Sequence, residues 1–225
     1  MSLDSSSLLA VNALITLQSR HGRFLKRTGD ICLSLIVLTF GAPFLLLIAF
    51  LVKVSSPGPV FFVQQRIGRR YQCFGCIKFR TMRKDADFLL NDVLANSTSM
   101  RREFERDFKL RKDPRITPIG RLLRRSSLDE LPQFINVLFG EMSVVGPRPI
   151  VYKEISRYGK YMKEVVSVRP GLTGLWQVSG RNNLSYNKRV ELDLEYVRYR
   201  SIIMDIVIII RTFAVLLFPM DRGAY

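Results

Sequence analysis

The sequence predicts an α+β chain, mostly helical, with a short β-hairpin and a long apolar helix interrupted by proline. Three observations carry that prediction. An uncharged run, "ICLSLIVLTFGAPFLLLIAFLV", fills Ile31 to Val52 with Gly41-Ala42-Pro43 at its midpoint. Two short apolar stretches, "VFFVQQRI" and "YQCFGCIKF", follow a Pro/Gly turn and read as adjacent strands. Beyond them, helical spacing recurs through residues 85–112, on both sides of Ser126-Ser127, and in "YNKRVELDLEYVRYR".

A chain of 225 residues suits one domain, or one domain with an attached segment. It carries 35 Lys+Arg against 19 Asp+Glu, a net charge of +16, and residues 54–128 alone hold 17 basic and 7 acidic side chains. Such an excess attracts nucleic acid, anionic lipid or phosphorylated substrates. A hydrophobic share of 48% beside that charge favours a membrane surface. One Trp and no recognised nucleic-acid motif count against nucleic acid. Three cysteines form no disulfide framework and indicate a reducing compartment. "CFGC" lacks a second ligand pair, so Cys73 and Cys76 read as strand residues around a Phe-Gly turn. His21 is the single histidine, which sets aside Ser-His-Asp and Cys-His catalysis and leaves carboxylates, lysines and hydroxyls.

The elements follow in order. Residues 1–25 form an N-terminal arm whose apolar patch has no basic region before it, unlike a secretory signal. Residues 26–54 form the apolar helix. Its 22 uncharged residues would reach ~33 Å, enough for a bilayer core of ~30 Å. Pro43 removes a backbone hydrogen bond there and kinks the helix. Basic residues flank both ends: Arg20, Arg23, Lys26 and Arg27 before, Lys53, Arg66, Arg69 and Arg70 after. Charge therefore gives no orientation, and these residues alone admit both a re-entrant helix and a proline-kinked span. Residues 55–225 make up the remaining domain. In "SSLDELPQF", Ser127 and Glu130 have capping-box spacing, which places Asp129 and Glu130 in a helix's first turn, where Pro132 is tolerated. "VVGPRPI" and "VRPGLTGLWQVSGRN" read as loops. "SIIMDIVIIIRTFAVLLF" is nearly membrane-grade, yet Asp205 and Arg211 suit it better to an interface or to packing on the domain.

Adjacent carboxylates among cations can do chemistry on an anion. A helix start keeps Asp129 ionised, and such a carboxylate can attack phosphorus while its neighbour Glu130 holds Mg²⁺ through hard oxygen. The same pattern is also that of a plain charged helix start. Loop-held arginines shift the balance toward phosphate handling. Arg148 sits between prolines in "GPRP", Arg169 in "RPG" and Arg181 in "GRN", and Lys78 and Arg80 end a strand.

"KFRTM", "SLDELPQFINVLFGEMSVVGPRP", "RPGLTGLWQVSGRN" and "ELDLEYV", following a kinked apolar run, strongly resemble the monotopic phosphoglycosyl transferases, bacterial sugar transferases that start lipid-linked glycan assembly. The resemblance runs from about Lys26 to Val215. It implies a re-entrant membrane helix broken at Ala42-Pro43, interface helices, and a small catalytic domain on the cytoplasmic face of the bacterial inner membrane. It further implies a Mg²⁺-dependent ping-pong reaction. Asp129 would attack the sugar-bearing phosphate of a nucleotide-diphosphate sugar, and polyprenol (undecaprenyl) phosphate would then take the phosphosugar, opening exopolysaccharide or O-antigen assembly. Glu130 would bind Mg²⁺ and Arg148 phosphate, with Lys78, Arg80, Arg169 and Arg181 as further substrate contacts. "GLWQVSGR" is similar to hexose-1-phosphate members, which points to UDP-glucose or UDP-galactose as donor. Partners are then the donor, the lipid acceptor and membrane lipid, with no nucleic acid, and a homodimer is allowed. Longer family members carry additional segments before the catalytic part, so this chain reads as a small core form. The competing reading is a membrane-anchored basic module that binds anionic lipid or nucleic acid without catalysis.

Overall fold

The computed structural model describes residues 20–107, 110 and 113–217. The N-terminal arm expected over residues 1–25 lies outside the described residues up to residue 19, and residues 20–25 are already helical. In chain order the main elements are α1 (Arg20–Phe40), α2 (Ala42–Ser55), β1 (Phe61–Ile67), β2 (Cys73–Phe79), α3 (Ala86–Asn96), α4 (Thr98–Asp107), α5 (Pro118–Ser126) and α6 (Gln133–Phe139). They continue with β3 (Ser143–Val145), β4 (Gly171–Thr173), α7 (Leu175–Ser179), α8 (Tyr186–Tyr199) and α9 (Ile202–Leu217). Short helical turns fill residues 152–165. The mostly helical α+β class is the one the sequence predicts.

The apolar run breaks where proline requires it. Gly41 still donates its N–H to Val37 O at 2.9 Å, and Pro43, which has no N–H, sits in the first turn of α2. A Cβ on Gly41 would lie 2.3 Å from that same oxygen, so glycine suits the break. Among the described residues no single helix is long and apolar enough to cross a membrane. The pair α1 and α2 meets the length and composition together, bent by 64° at the break.

Strands β1 and β2 form a two-stranded sheet. The reversal lies in residues 68–72, closed by Gly68 N–H to Gln72 O at 2.8 Å, with Arg70 and Tyr71 at positive φ. Cys73 to Phe79 is one continuous strand, so Phe74-Gly75 is not the turn expected from "CFGC". Arg70 and Tyr71 adopt the left-handed backbone instead, a conformation the sequence does not advertise without glycine. A second difference concerns the Pro/Gly-rich stretches, which contain strands as well as loops. β3 and β4 pair in parallel, Ser143 opposite Gly171 and Val145 opposite Thr173. Three-residue strands are too short to show alternation. Their approach depends on small residues, since a Cβ on Gly171 would meet Gly146 N at 2.1 Å.

The chain gathers into two compact units. Of the described residues, one comprises 20–41, 63–77 and 133–217. Ile67, Ile150, Met162, Val165, Val190 and Leu194 belong to its core. Burying each such side chain contributes roughly 1.5–3 kcal/mol. Here α1 is held by charge as well as packing. Asp30 accepts Ser143 Oγ at 2.7 Å and Val144 N–H at 3.1 Å. Lys26 Nζ lies 2.6 Å from Asp205 Oδ2 and 3.8 Å from Asp30 Oδ1, and Tyr196 O–H donates to Asp205 Oδ1 at 2.8 Å. Asp205 is therefore satisfied inside the protein. Ile203, Ile206, Ile210 and Phe213 on the same helix remain exposed.

The other unit comprises residues 42–62 and 78–132. Ile48 and Val52 of α2 pack with Phe79 and Leu123, flanked by Leu128 and Leu131. Leu46, Phe50 and Val54 of α2 stay exposed. Thr117 caps α5, its Oγ1 accepting Gly120 N–H at 2.9 Å, and Pro118 opens the helix. A Cβ at Gly120 would lie 2.0 Å from Thr81 O, so glycine lets α5 approach the chain leaving β2.

Candidate active site

Helix α5 ends at Ser126, and Ser127 takes the left-handed conformation with φ of 57°. Leu128–Glu130 is then one 3-10 turn, and α6 begins only at Gln133. The capping box expected between Ser127 and Glu130 does not form. Ser127 spends its backbone closing α5, its side chain makes no cap bond, and the carboxylate of Glu130 turns to Lys78.

The two neighbouring acids meet different surroundings. Asp129 is 8% exposed. Glu130 keeps 38% of its side chain exposed and accepts Lys78 Nζ at 2.5 Å. Burial, and next the adjacent Glu130 charge, push Asp129 up to about 6, while Lys78 and Arg124 pull it down. Arg124 is itself positioned by donating Nε–H to Thr81 Oγ1 at 2.9 Å. Above pH ~6 Asp129 is thus a thinly solvated carboxylate beside cations, the condition for an oxygen nucleophile. Arg124 was visible in sequence only as part of a basic run. Its link to Thr81 across 43 positions has no local signal.

Among the described residues no group of three His, Cys, Asp or Glu side chains could enclose a metal. Mg²⁺ needs no such cage, since one or two carboxylates with substrate phosphates and water suffice. The adjacent Asp129 and half-exposed Glu130 supply hard oxygens of that kind, so the donor set fits Mg²⁺ carried with a diphosphate.

Asp129, Glu130 and Lys78 come together. Arg80 belongs to the same unit but is 8% exposed and clamps the turn after α2, donating to Ser56 O at 2.6 Å and Pro57 O at 3.1 Å. Arg148, Arg169 and Arg181 belong to the other unit. Arg169 donates Nε–H to Gly140 O at 2.6 Å. Arg27 donates to Val137 O and Leu138 O at 2.6 and 2.9 Å, so both arginines satisfy carbonyls at the end of α6. Arg181 opens a 3-10 turn at φ of 52°.

Arg148 lines a small open cleft with Tyr158, Trp176, Tyr186 and Arg189. Its guanidinium lies 5.8 Å from the Trp176 ring centre, and that of Arg189 lies 5.1 Å away. Beneath the loop, fully buried Asp193 accepts Tyr158 O–H at 2.9 Å. Burial pushes Asp193 up to about 7, while that bond and the Arg148 backbone N–H hold it down. Nothing local in the sequence placed Trp176, Arg189, Tyr158 and Asp193 near Arg148, because each acquires its neighbours through long-range packing.

A family model described as bacterial sugar transferase matches residues 21–219. An undecaprenyl-phosphate galactose phosphotransferase of Salmonella typhimurium is 46% identical over 209 residues, which cover 93% of this chain and 43% of that protein. The exopolysaccharide production protein ExoY of Rhizobium meliloti is 43% identical over 204 residues, 91% of this chain and 89% of that protein. A UDP-glucose:undecaprenyl-phosphate glucose-1-phosphate transferase of Escherichia coli is 40% identical over 198 residues, 84% of this chain and 39% of that protein. The chain thus spans less than half the length of two of these relatives and most of the third.

Proposed function

This chain belongs to the bacterial sugar transferase family, and from that premise we propose that it transfers a sugar-1-phosphate from a UDP-hexose to undecaprenyl phosphate. The observation that carries the reading is Asp129, a buried carboxylate held near Lys78 and Arg124 and next to a second acid. The relatives' names supply the substrate class.

In the first half-reaction an Asp129 oxygen attacks the phosphorus that bears the sugar. The bond from that phosphorus to the bridging oxygen breaks, and the nucleoside monophosphate leaves with the electron pair. In the second, a phosphate oxygen of the lipid attacks the same phosphorus, and the Asp129 carboxylate leaves. Low solvation makes the Asp129 oxygen reactive, and its acyl phosphate remains susceptible to the second attack. Lys78 holds Glu130 in place, and Arg124 compensates charge beside Asp129. Glu130, with Asp129 adjacent, would hold Mg²⁺, which when bound neutralises diphosphate charge and stabilises the leaving phosphate. Arg148, held between prolines in its own unit, would bind phosphate. Arg80 and Arg169 act by shaping their loops, consistent with the carbonyls they bind, and Arg181 is a further substrate contact.

The reading places the protein at the bacterial cytoplasmic membrane with its catalytic part on the cytoplasmic face. The bent pair α1 and α2 would enter and leave on one side, and the exposed apolar residues of α2 and α9 support lipid contact.

Intact-protein mass spectrometry after incubation with UDP-glucose or UDP-galactose, without acceptor, tests the proposal. A mass gain of one hexose phosphate is expected, absent in Asp129→Asn and discharged by undecaprenyl phosphate. Monophosphate release only when both substrates are present, with no labelled protein, would replace the covalent route by direct attack from the lipid.

A further inference from the structure

Arginines gather in the unit that holds α1, α6 and α8. Arg27 on α1 and Arg169 before β4 reach the end of α6 together. Their Nη2 atoms lie 3.4 and 3.8 Å from the point that a Cβ on Gly140 would occupy. Arg69, in the β1–β2 reversal, donates Nε–H to Ser167 O at 3.1 Å, close in sequence to Arg169. Arg200, just past α8, donates to Val197 O. Burial lowers the pKa of both Arg169 and Arg200, and like charge adds to it, from Arg27 and Arg69 on the first and from Arg23 and Arg69 on the second. Asp30 opposes this at Arg169, and Tyr196 and Asp205 oppose it at Arg200. Both acids are already engaged by Lys26, Ser143 and Tyr196. Among the described residues Arg27, Arg69, Arg169 and Arg200 form no ion pair, and their partners are backbone carbonyls. A helix end supplies roughly half an elementary charge, too little to offset these guanidiniums. Arg69 and Arg169 each use only Nε, which leaves their Nη groups without a protein partner among the described residues. Large exposed apolar side chains flank the same positions: Phe24 and Leu25 between Arg23 and Arg27, Phe139 before Gly140, and Tyr199 before Arg200. Guanidiniums bordered by exposed aromatic rings suit a phosphate whose other end is hydrocarbon.

We propose that Arg27, Arg69, Arg169 and Arg200 form a binding site for the headgroup phosphate of an anionic phospholipid, a lipid of the bilayer itself and neither donor nor acceptor. The site lies wholly in the unit that does not contain Asp129. It rests on the membrane placement proposed above and adds to it a lipid class and the residues that select it. A zwitterionic phospholipid also carries phosphate, but its amine brings one more cation among the arginines, so the site discriminates by net charge.

The full chain in a maltoside detergent, with EDTA present, is mixed with phosphatidylglycerol or phosphatidylcholine of the same acyl chains, and retained lipid is measured by native mass spectrometry. Phosphatidylglycerol is expected to bind at least tenfold more tightly, equivalent to about 1.4 kcal/mol. Arg69→Gln with Arg200→Gln should erase most of that preference, and Arg69→Lys with Arg200→Lys should keep part of it. If the glutamine pair does not fold, Arg69→Gln alone decides the matter through a several-fold loss. Removing the same charge at exposed Lys153 and Lys160 should leave the preference intact. Inorganic phosphate and glycerol-3-phosphate should compete only at far higher concentration than the lipid, because they have no chain to lay on the apolar rim. An equal loss in the Lys153→Gln, Lys160→Gln control would reduce the preference to overall net charge and overturn the site. Free phosphate competing at the lipid's own concentration would overturn it too, as would displacement by equimolar undecaprenyl phosphate, which would make this the acceptor's place. A chain that pellets with membranes and forms the Asp129 adduct but shows no lipid preference sinks the site alone. A preference found in a chain recovered from the soluble fraction of cells sinks the membrane placement alone.

Discussion

Replacing Asp129 with asparagine is expected to abolish turnover and, at neutral pH, to make the protein harder to unfold. The buried carboxyl titrates at about 6 in the folded chain against an ordinary value of 3.8. Between those values the folded state holds a proton that the unfolded chain has already lost. Stability therefore falls as pH rises through that window and stays low above it. The cost of keeping Asp129 ionised comes to ~3 kcal/mol at pH 7.5 and falls well below that at pH 4. Asparagine has the same shape and no charge, so it removes that cost. For a chain of this size each kcal/mol moves the melting temperature by roughly 2–4 °C, giving a gain of roughly 6–12 °C at pH 7.5 and much less at pH 4. Scanning calorimetry of both proteins in detergent with EDTA, across that pH range, measures the difference. A gain as large at pH 4 as at pH 7.5 would mean that something other than charge burial is relieved. No gain at pH 7.5 would refute the claim that the site is strained by its own nucleophile.

Other outcomes follow from the same geometry. Glu130→Gln removes the second cause of Asp129's raised pKa, so the pH at which adduct formation begins should move toward acid while the Mg²⁺ requirement rises. UMP release against pH and Mg²⁺ measures both, and an unchanged metal dependence would put the ion elsewhere. Gly120→Ala should destabilise by roughly 1–3 kcal/mol or more, because its Cβ would meet Thr81 O at 2.0 Å. Wild-type thermal stability in that variant would contradict the close approach of α5. Reporter cysteines at Arg23 and Val54, in a background lacking the native cysteines, should be labelled from one side of the membrane in cells, and Pro43→Ala should separate them. Labelling from opposite sides with Pro43 intact would refute the re-entrant reading.

The helical content, the β1–β2 hairpin and the break at Ala42-Pro43 were legible because each rests on local rules: periodicity, alternation and a missing N–H. Asp129 and Glu130 were legible as a pair for the same reason. Their setting was not, since Ser127 adopts the left-handed backbone that the capping-box reading excludes. β3 and β4 escaped because three residues carry no period and because Gly146 and Gly171, which look like loop formers, are what let the strands meet. Arg80 looked like a substrate contact at a strand end, but the carbonyls of Ser56 and Pro57, more than twenty positions earlier, claim its guanidinium. Asp205, out of place in an apolar stretch, became intelligible only with Lys26 and Tyr196 beside it.

The Lys26–Asp205 contact joins positions 179 residues apart. A ribosome produces Lys26 and its helical neighbour Asp30 long before Asp205, and Asp30 waits for Ser143 and Val144, 113 and 114 positions later. During that interval the first apolar helix carries two ionic groups whose final partners have not been synthesised. The nascent segment must rest against some other surface until Asp205 has emerged, and a chain cut short before that residue cannot close this contact.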